Sequence, residues 1–173
     1  MLDSKRQTLV NRKISDNAFT DDEIKKLSLK FRNWTYWSEP IIAAKPKILG
    51  FDDIYMVDVP TVFQLPNDKT WYMSFIGYDG KGYQTFIAAS DNMIDWYNFH
   101  LAMGYGPAGE FDYGGCVLGA YLYESYNLED RRTLKQLDGK YWSLYGAYPR
   151  QGGYELRPGY EGIACSNDGF IWE

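Results

Sequence analysis

The chain has 173 residues, of which 45% are hydrophobic and 24% charged, and its formal net charge is -5 at pH 7. This composition is that of a folded globular protein and excludes the disordered and collagen-like classes. The acidic balance and the scattered Lys and Arg residues argue against a nucleic-acid partner, since binding to phosphates needs a clustered excess of positive charge.

The first predicted element in the chain is a helix, within a helical segment that we assign to residues 1–35. Residues 20–23 read Thr-Asp-Asp-Glu, a capping box with acidic residues in the first helical turn. Ile24, Leu27 and Phe31 follow at near-helical spacing and form one apolar stripe. This stripe must pack either on the rest of the chain or on a partner subunit.

The sequence contains neither a membrane span nor an export signal. No run approaches the roughly 20 apolar residues that a helix needs to cross a bilayer. The N-terminus also lacks the apolar core of a secretory signal. We therefore predict no membrane association and, by default, a cytoplasmic location, or an exported one if residue 1 is an engineered start.

From residue 36 onward the sequence predicts short antiparallel strands. Runs rich in Tyr, Phe, Val and Ile alternate with turn signals such as Asp-Gly and Asn-Asp-Gly. Aromatic residues make up 18% of the chain and favour pleated, half-buried surfaces. The predicted strands cover residues 61–65, 71–76, 84–89, 117–123, 140–145 and 162–165.

One supersecondary unit occurs twice in the chain. The segment IAASDNMIDW, which ends at Trp96, aligns without gaps on IACSNDGFIW, which ends at Trp172, an offset of 76 residues. Each unit is predicted to contain an inner strand, a second strand, a third strand that ends in Ser, and a short outer strand that ends in Trp.

Two further segments of the repeat align upstream of this ending. The strand that ends at Tyr78 matches the strand that ends at Tyr148, and we align PTVF from Pro60 with GCVL from Gly115. The second unit also carries a polar insertion at residues 124–137, which we expect to be helical or irregular. Insertions on a repeat scaffold often lie on its binding face.

Four antiparallel strands in each unit are typical of a β-propeller blade. The sequence therefore predicts an all-β fold of two four-stranded blades in residues 36–173, preceded by the short helix. The first blade covers about residues 57–99 and the second residues 111–173. A sandwich of two sheets is the alternative, although it does not predict the same Ser-to-Trp spacing in both units.

The order of VDVPTVF, WYMSFIGY and IAASDNMIDW resembles the first blade of the five-bladed propeller glycoside hydrolases, a group that includes families 32, 43, 68, 117 and 130. FDYGGCVL, GKYWSLYGAY and IACSNDGFIW resemble the next blade. The resemblance covers residues 34–173. It implies that the chain supplies two blades of five, and that it is either an inactive fragment or associates through an exposed sheet.

The resemblance also implies that carboxylates project into a funnel at the propeller axis from the inner strands. Glycoside hydrolysis needs one carboxylic acid to protonate the leaving oxygen and one carboxylate to activate water or to attack the anomeric carbon. Asp58 matches the first-blade carboxylate, and we expect it to act as general base or nucleophile; the alternative is that it caps a turn. Asp112 is the second candidate, as a group that binds substrate or sets a pKa.

Aromatic rings that can stack on sugars complete the predicted site. The candidates are Trp37, Tyr113 and Trp142, although most rings in such a chain only fill space between sheets. The predicted function is hydrolysis of glycosidic bonds in a poly- or oligosaccharide, so that the expected partner is carbohydrate. A non-catalytic carbohydrate-binding propeller is the alternative, and phosphorolysis, which would rely on Arg150 and Arg157, is a third hypothesis.

We predict no cofactor and no metal ion. The two cysteines, Cys116 and Cys165, are too few for a disulfide framework and are not spaced as a zinc site, so we expect both to be small buried side chains. The single histidine, His100, cannot form a multi-histidine site by itself.

Overall fold

The computed structural model describes residues 20–32, 42, 54–127, 130–153 and 155–173. The chain divides into two compact units, Met1–Glu39 and Pro40–Glu173. We describe each unit separately.

Helix α1 of the first unit spans Asp21–Arg32, as the capping box predicted. Glu23 donates its backbone N–H to Thr20 Oγ1 at 3.3 Å, and Thr20 donates its own N–H to Glu23 Oε2 at 2.8 Å. The two residues thereby satisfy each other's free backbone donors. Ile24, on the predicted apolar stripe, is 53% exposed. No described helix is both long and apolar enough to cross a bilayer.

The second unit is an eight-stranded sheet that consists of two consecutive antiparallel units, as predicted. The first blade contains β1 (Met56–Phe63), β2 (Trp71–Tyr78), β3 (Tyr83–Ser90) and β4 (Tyr97–Met103), in that order from its inner to its outer edge. The second blade contains β5 (Gly115–Tyr121), β6 (Gln136–Leu137), β7 (Lys140–Tyr148) and β8 (Tyr160–Ser166). Here β7 pairs with both β5 and β8, whereas β6 extends β7 at one end.

A fourth position is also filled outside β8. Glu173 and Cys165 exchange two backbone hydrogen bonds of 2.9 and 3.0 Å. The second blade therefore repeats the four-layer order of the first, and the all-β prediction of two four-stranded blades is confirmed.

The repeated segment after the third strand is a turn with the same hydrogen bonds in both blades. Ser90 Oγ accepts the N–H of Asn92 and of Met93, and Asn92 Oδ1 accepts the N–H of Ile94 and of Asp95. In the second blade Ser166 and Asp168 accept the four corresponding N–H groups. The offset of 76 residues is thus confirmed at the level of individual atoms.

The prediction that the outer strand ends at Trp96 is wrong, because β4 begins only at Tyr97. The side-chain acceptors of Ser90 and Asn92 take up the backbone donors of residues 92–95, so this stretch is held in a turn and cannot pair with β3.

Residue 93 and its equivalent, Gly169, both have positive φ, at 63° and 84°. A side chain in this region of φ is strained, whereas glycine is not. We expect Met93→Gly to raise the free energy of unfolding by about 0.5–1 kcal/mol. Chemical denaturation measures this gain, and Ile94→Gly, at a neighbouring position without positive φ, is the control that should lose stability.

The second turn gives the fold a dependence on acid. Burial raises the pKa of Asp168, but hydrogen bonds from the N–H groups of Ile171 and Phe170 outweigh it and hold the pKa below 3.8. Because the folded pKa lies below the unfolded one, this stability is present above about pH 4 and is lost as the pH falls through the folded pKa. Asp168→Asn keeps an acceptor, as Asn92 does in the first blade.

We therefore expect Asp168→Asn to lose less stability than the unmodified chain between pH 7 and about pH 3. Urea unfolding at the two pH values measures the difference. An equal loss in both proteins would show that Asp168 does not contribute to the acid sensitivity.

The core lies on both sides of β3, all of whose residues are buried. Phe75, Phe86 and Ala88 pack with Ile54 on one side, whereas Phe63 and Ile87 pack against the second blade on the other. Thr85 joins the blades: its hydroxyl donates to Cys116 O at 2.8 Å and accepts the N–H of Leu118 at 3.0 Å.

The insertion fastens the same two blades at their opposite end. Leu134 and Thr133 belong to isolated bridges with Tyr123 and Gln64, so this segment pairs with the end of β1 as well as with its own blade. Leu134 is 1% exposed and belongs to the core between the blades. The described part of the insertion therefore includes bridges and the short strand β6 rather than a helix.

The outer face of the second blade differs from the expectation that Tyr121 and Tyr145 are exposed. Both side chains are at most 6% exposed, because they point to the first blade. Strand alternation then turns Leu144 and Ile163 outward, and these are 50% and 68% exposed. The exposed apolar face of this blade is aliphatic at its centre.

Candidate active site at the inner strands

A β-bulge occurs at the same place in both inner strands. In the first blade the pairing passes from Asp58↔Ile76 to Thr61↔Ser74, and in the second it passes from Leu118↔Tyr145 to Ala120↔Leu144. One residue is therefore left without a partner at each position. Bulges bend the strand locally and re-aim its side chains, and they are frequent beside active sites.

The shared bulge corrects the predicted alignment of the inner strands. Asp58 pairs with Ile76, and the corresponding pair in the second blade is Val117 with Gly146. Val117 is thus the equivalent of Asp58, and the alignment of Pro60 with Gly115 is wrong by four residues. Similar residue types suggested that alignment, but the pairing with the neighbouring strand decides it. The second blade has an apolar residue where the first has a carboxylate.

Asp58 lies at the first bulge with an exposed side chain. Its Oδ1 accepts the backbone N–H of Val59 at 2.7 Å. Val57 packs on the cluster around Phe75 and Phe86, so alternation directs Asp58 to the opposite face of the strand. The carboxylate is accessible and is held by the backbone next to it.

Val59 has a φ of 50° and is 42% exposed. A β-branched residue at positive φ is an outlier, and such strain costs on the order of 1–3 kcal/mol and is concentrated at functional sites. Burial does not compensate for this strain, because the side chain is half exposed. The strain therefore coincides with the residue that orients the Asp58 carboxylate.

The two inner strands approach each other beside their bulges. A Cβ atom on Gly119 would lie 3.7 Å from Thr61 Oγ1. The strands β3 and β5 meet in a single parallel bridge, Tyr83↔Gly115, at the end where β5 begins. This bridge aligns the starts of both blades at one end of the sheet.

Three backbone segments are in direct contact at that end. A Cβ on Gly82 would overlap the carbonyl of Gly114, and a Cβ on Gly114 would overlap the backbone of Arg150. The turn after β2, the start of β5 and the loop after β7 are therefore stacked without room for side chains. Glycine is needed here for close approach.

Asp112 lies just before β5 and is half-buried. Its Oδ2 accepts a hydrogen bond of 3.0 Å from the hydroxyl of Tyr145, and its carboxylate is packed against Gly106, where a Cβ would overlap it. Burial and then this hydrogen bond raise the pKa of Tyr145, so the phenol stays protonated and donates. Asp112 is thus held by the second blade, whereas Asp58 belongs to the first.

The three predicted aromatic residues occupy different places. Tyr113 is half-buried beside Asp112, and its carbonyl accepts a hydrogen bond of 2.9 Å from Gln151 Nε2. Trp142 lies at the opposite end of the second blade, beyond the Tyr121↔Ser143 pair, and donates its ring N–H to Leu137 O at 2.9 Å. Trp37 lies outside the described residues. The structure brings Tyr113 together with Asp112 but not with Trp142.

Sequence analysis missed the bulge and the strained Val59. The only signal for them was the proline two residues after Asp58, since Pro within a sheet is confined to edges, strand starts and bulges. Among the described residues, no group of three or more His, Cys, Asp or Glu side chains could hold a metal ion.

Comparisons with known proteins concern the fold. No protein-family model matches the sequence, and no curated protein matches it. A solved structure described as "Glycoside hydrolase" superposes with a TM-score of 0.66 at 22% identity, covering 90% of this chain and 44% of that one. A second, described as a complex of BT0996 and RGII, gives a TM-score of 0.56 at 26% identity, covering 68% of this chain.

The chain spans only 44% and 35% of the lengths of these two structures. In fold, it therefore corresponds to a short N-terminal helix and two blades of a propeller of the glycoside hydrolase type.

Proposed function

We propose that this chain provides the first-blade carboxylate of a glycoside hydrolase, with Asp58 as the general base or nucleophile that acts on a poly- or oligosaccharide. The observation that supports this most is the exposed Asp58 at a bulge, followed by a β-branched residue at positive φ. A turn-capping Asp needs no such strain. The fold shared with a glycoside hydrolase supports the reaction class.

In this proposal Asp58 either attacks the anomeric carbon or removes a proton from the attacking water. A carboxylic acid elsewhere in the complete site protonates the leaving oxygen. The N–H of Val59 holds Oδ1, which leaves Oδ2 for the substrate or the water. Asp112 would bind a sugar hydroxyl or influence the pKa of a neighbouring acid, and Tyr145 would keep its carboxylate oriented.

A carbohydrate-binding module without catalysis is the second candidate function. Two observations favour it: the second blade has Val117 at the position of Asp58, and one structural neighbour is a complex that contains an RGII carbohydrate. In that case the half-buried Tyr113 and the adjacent Asp112 would carry binding, and Asp58 would be dispensable.

Calorimetric binding and hydrolysis assays on the polypeptide encoded by the full gene separate the two functions. We expect Asp58→Ala to abolish hydrolysis of the oligosaccharide that the protein binds while leaving most of the affinity, and Tyr113→Ala to weaken binding. Asp138→Asn, in the exposed turn between β6 and β7, is the matched control and should change neither. Binding without any hydrolysis in the unmodified protein would favour the binding module.

A further inference from the structure

The outer face of the second blade combines an apolar centre with opposite charges at its two ends. It is formed by Lys140, Trp142 and Leu144 on β7 and by Glu161, Ile163 and Cys165 on β8.

The direction of these side chains follows from their neighbours. Ala164 is buried toward the first blade, and a Cβ on Gly162 would overlap the buried ring of Tyr145. By alternation, the odd-numbered residues of β8 point outward. The Nζ of Lys140 lies 3.5 Å from Cys165 Sγ, which places this ammonium group on the same face. Cys165 is half-buried there, unlike the fully buried Cys116.

The outer face is the repeat equivalent of a surface that the first blade buries. Ile87 corresponds to Ile163 and is fully buried against the second blade, whereas Ile163 is 68% exposed. Ser74 corresponds to Leu144, and their exposed fractions are 0% and 50%. The fold therefore repeats a packing surface in the second blade but, within the described residues, covers it only in the first. Exposed apolar faces of this kind mark interaction sites.

The charges make this face complementary to itself. Along β7, Lys140 lies six residues before Gly146, the cross-strand partner of Glu161. At about 3.3 Å per residue, the positive and negative ends are roughly 20 Å apart. A two-fold axis in the plane of the contact and perpendicular to the strands exchanges these ends. Each Lys140 then meets the Glu161 of the other copy, and Leu144 and Ile163 meet Trp142 and Cys165.

We propose that the outer face binds a second copy of this chain in an isologous dimer, with Ile163 near its centre and two reciprocal Lys140–Glu161 pairs at its ends. Such two-fold contacts are the commonest form of association between identical chains. Three strands about 4.8 Å apart present a small contact area, so the dissociation constant should lie in the micromolar range. This proposal is independent of the proposed function.

Sedimentation velocity across the micromolar range tests the proposal directly. We expect a concentration-dependent dimer, and we expect Ile163→Asp to raise its dissociation constant by about 30-fold or more, because a charge would be buried at the centre. Ile94→Asp changes an exposed isoleucine in the turn of the first blade and is the matched control, which should leave the dimer intact. Circular dichroism verifies that each variant is folded.

A charge exchange tests the orientation. Glu161→Lys and Lys140→Glu should each weaken the dimer about 10-fold by placing like charges opposite each other, and the double variant should restore it. A monomer throughout the concentration range, a dimer that Ile163→Asp does not affect, or a double variant as weak as the single ones would each overturn the proposal.

Discussion

Replacing Asp58 with Asn should lower kcat/KM for glycoside hydrolysis by about 10²–10⁴-fold in the polypeptide encoded by the full gene, because an amide can neither accept a proton nor attack the anomeric carbon. The variant keeps the local structure, since the amide oxygen can still accept the N–H of Val59. We therefore expect an unchanged melting temperature and a nearly unchanged affinity for substrate. Stopped-time assays of released reducing sugar measure the loss.

Asp138→Asn provides the matched control for this experiment, since it removes one carboxylate from an exposed turn. Activity of the Asp58 variant within about threefold of the unmodified enzyme would contradict the assignment of Asp58, because a positioned base or acid contributes far more than this. The fold and the dimer proposal would be unaffected by that result.

Replacing Gly114 with Ala should destabilise the sheet by about 3 kcal/mol, because the new methyl group would overlap the backbone of Arg150 and must displace a whole segment. For a domain of this size the melting temperature should fall by roughly 6–12 °C. The displaced segment borders Tyr113 and Asp112, so carbohydrate binding should weaken as well.

Gly159→Ala is the control, since its added Cβ would lie 3.8 Å from the Tyr148 ring, an ordinary contact. We expect less than about 1 kcal/mol from that change. Thermal unfolding followed by circular dichroism measures both variants. Equal stability of the two would show that the stack of backbones at the start of β5 yields easily to an extra methyl group.

Local chemistry accounts for the parts of the fold that could be predicted. The capping box places the start of α1, because Thr20 and Glu23 satisfy backbone donors only three residues apart. The Ser-to-Trp ending repeats because each turn needs a hydroxyl and a second acceptor two residues later. Such interactions depend on neighbours in the chain, so their spacing is visible in the sequence.

The inner strands show where this reasoning fails. A bulge adds one residue to a strand without altering its residue types, and the alignment of Pro60 with Gly115 therefore missed the equivalence of Asp58 and Val117. The strain at Val59 was hidden for the same reason, because φ depends on pairing with β2. These are the features that distinguish the two blades at the candidate site.

By itself, the sequence determined the all-β class, the helix cap, the two repeated units and the choice of Asp58 as a candidate, since each depends on residue type and short spacing. Only the tertiary structure decided which face of the second blade is open, which residue is equivalent to Asp58, and that Tyr113 lies far from Trp142. These depend on cross-strand register and on contacts between blades, which join residues that are distant in the chain.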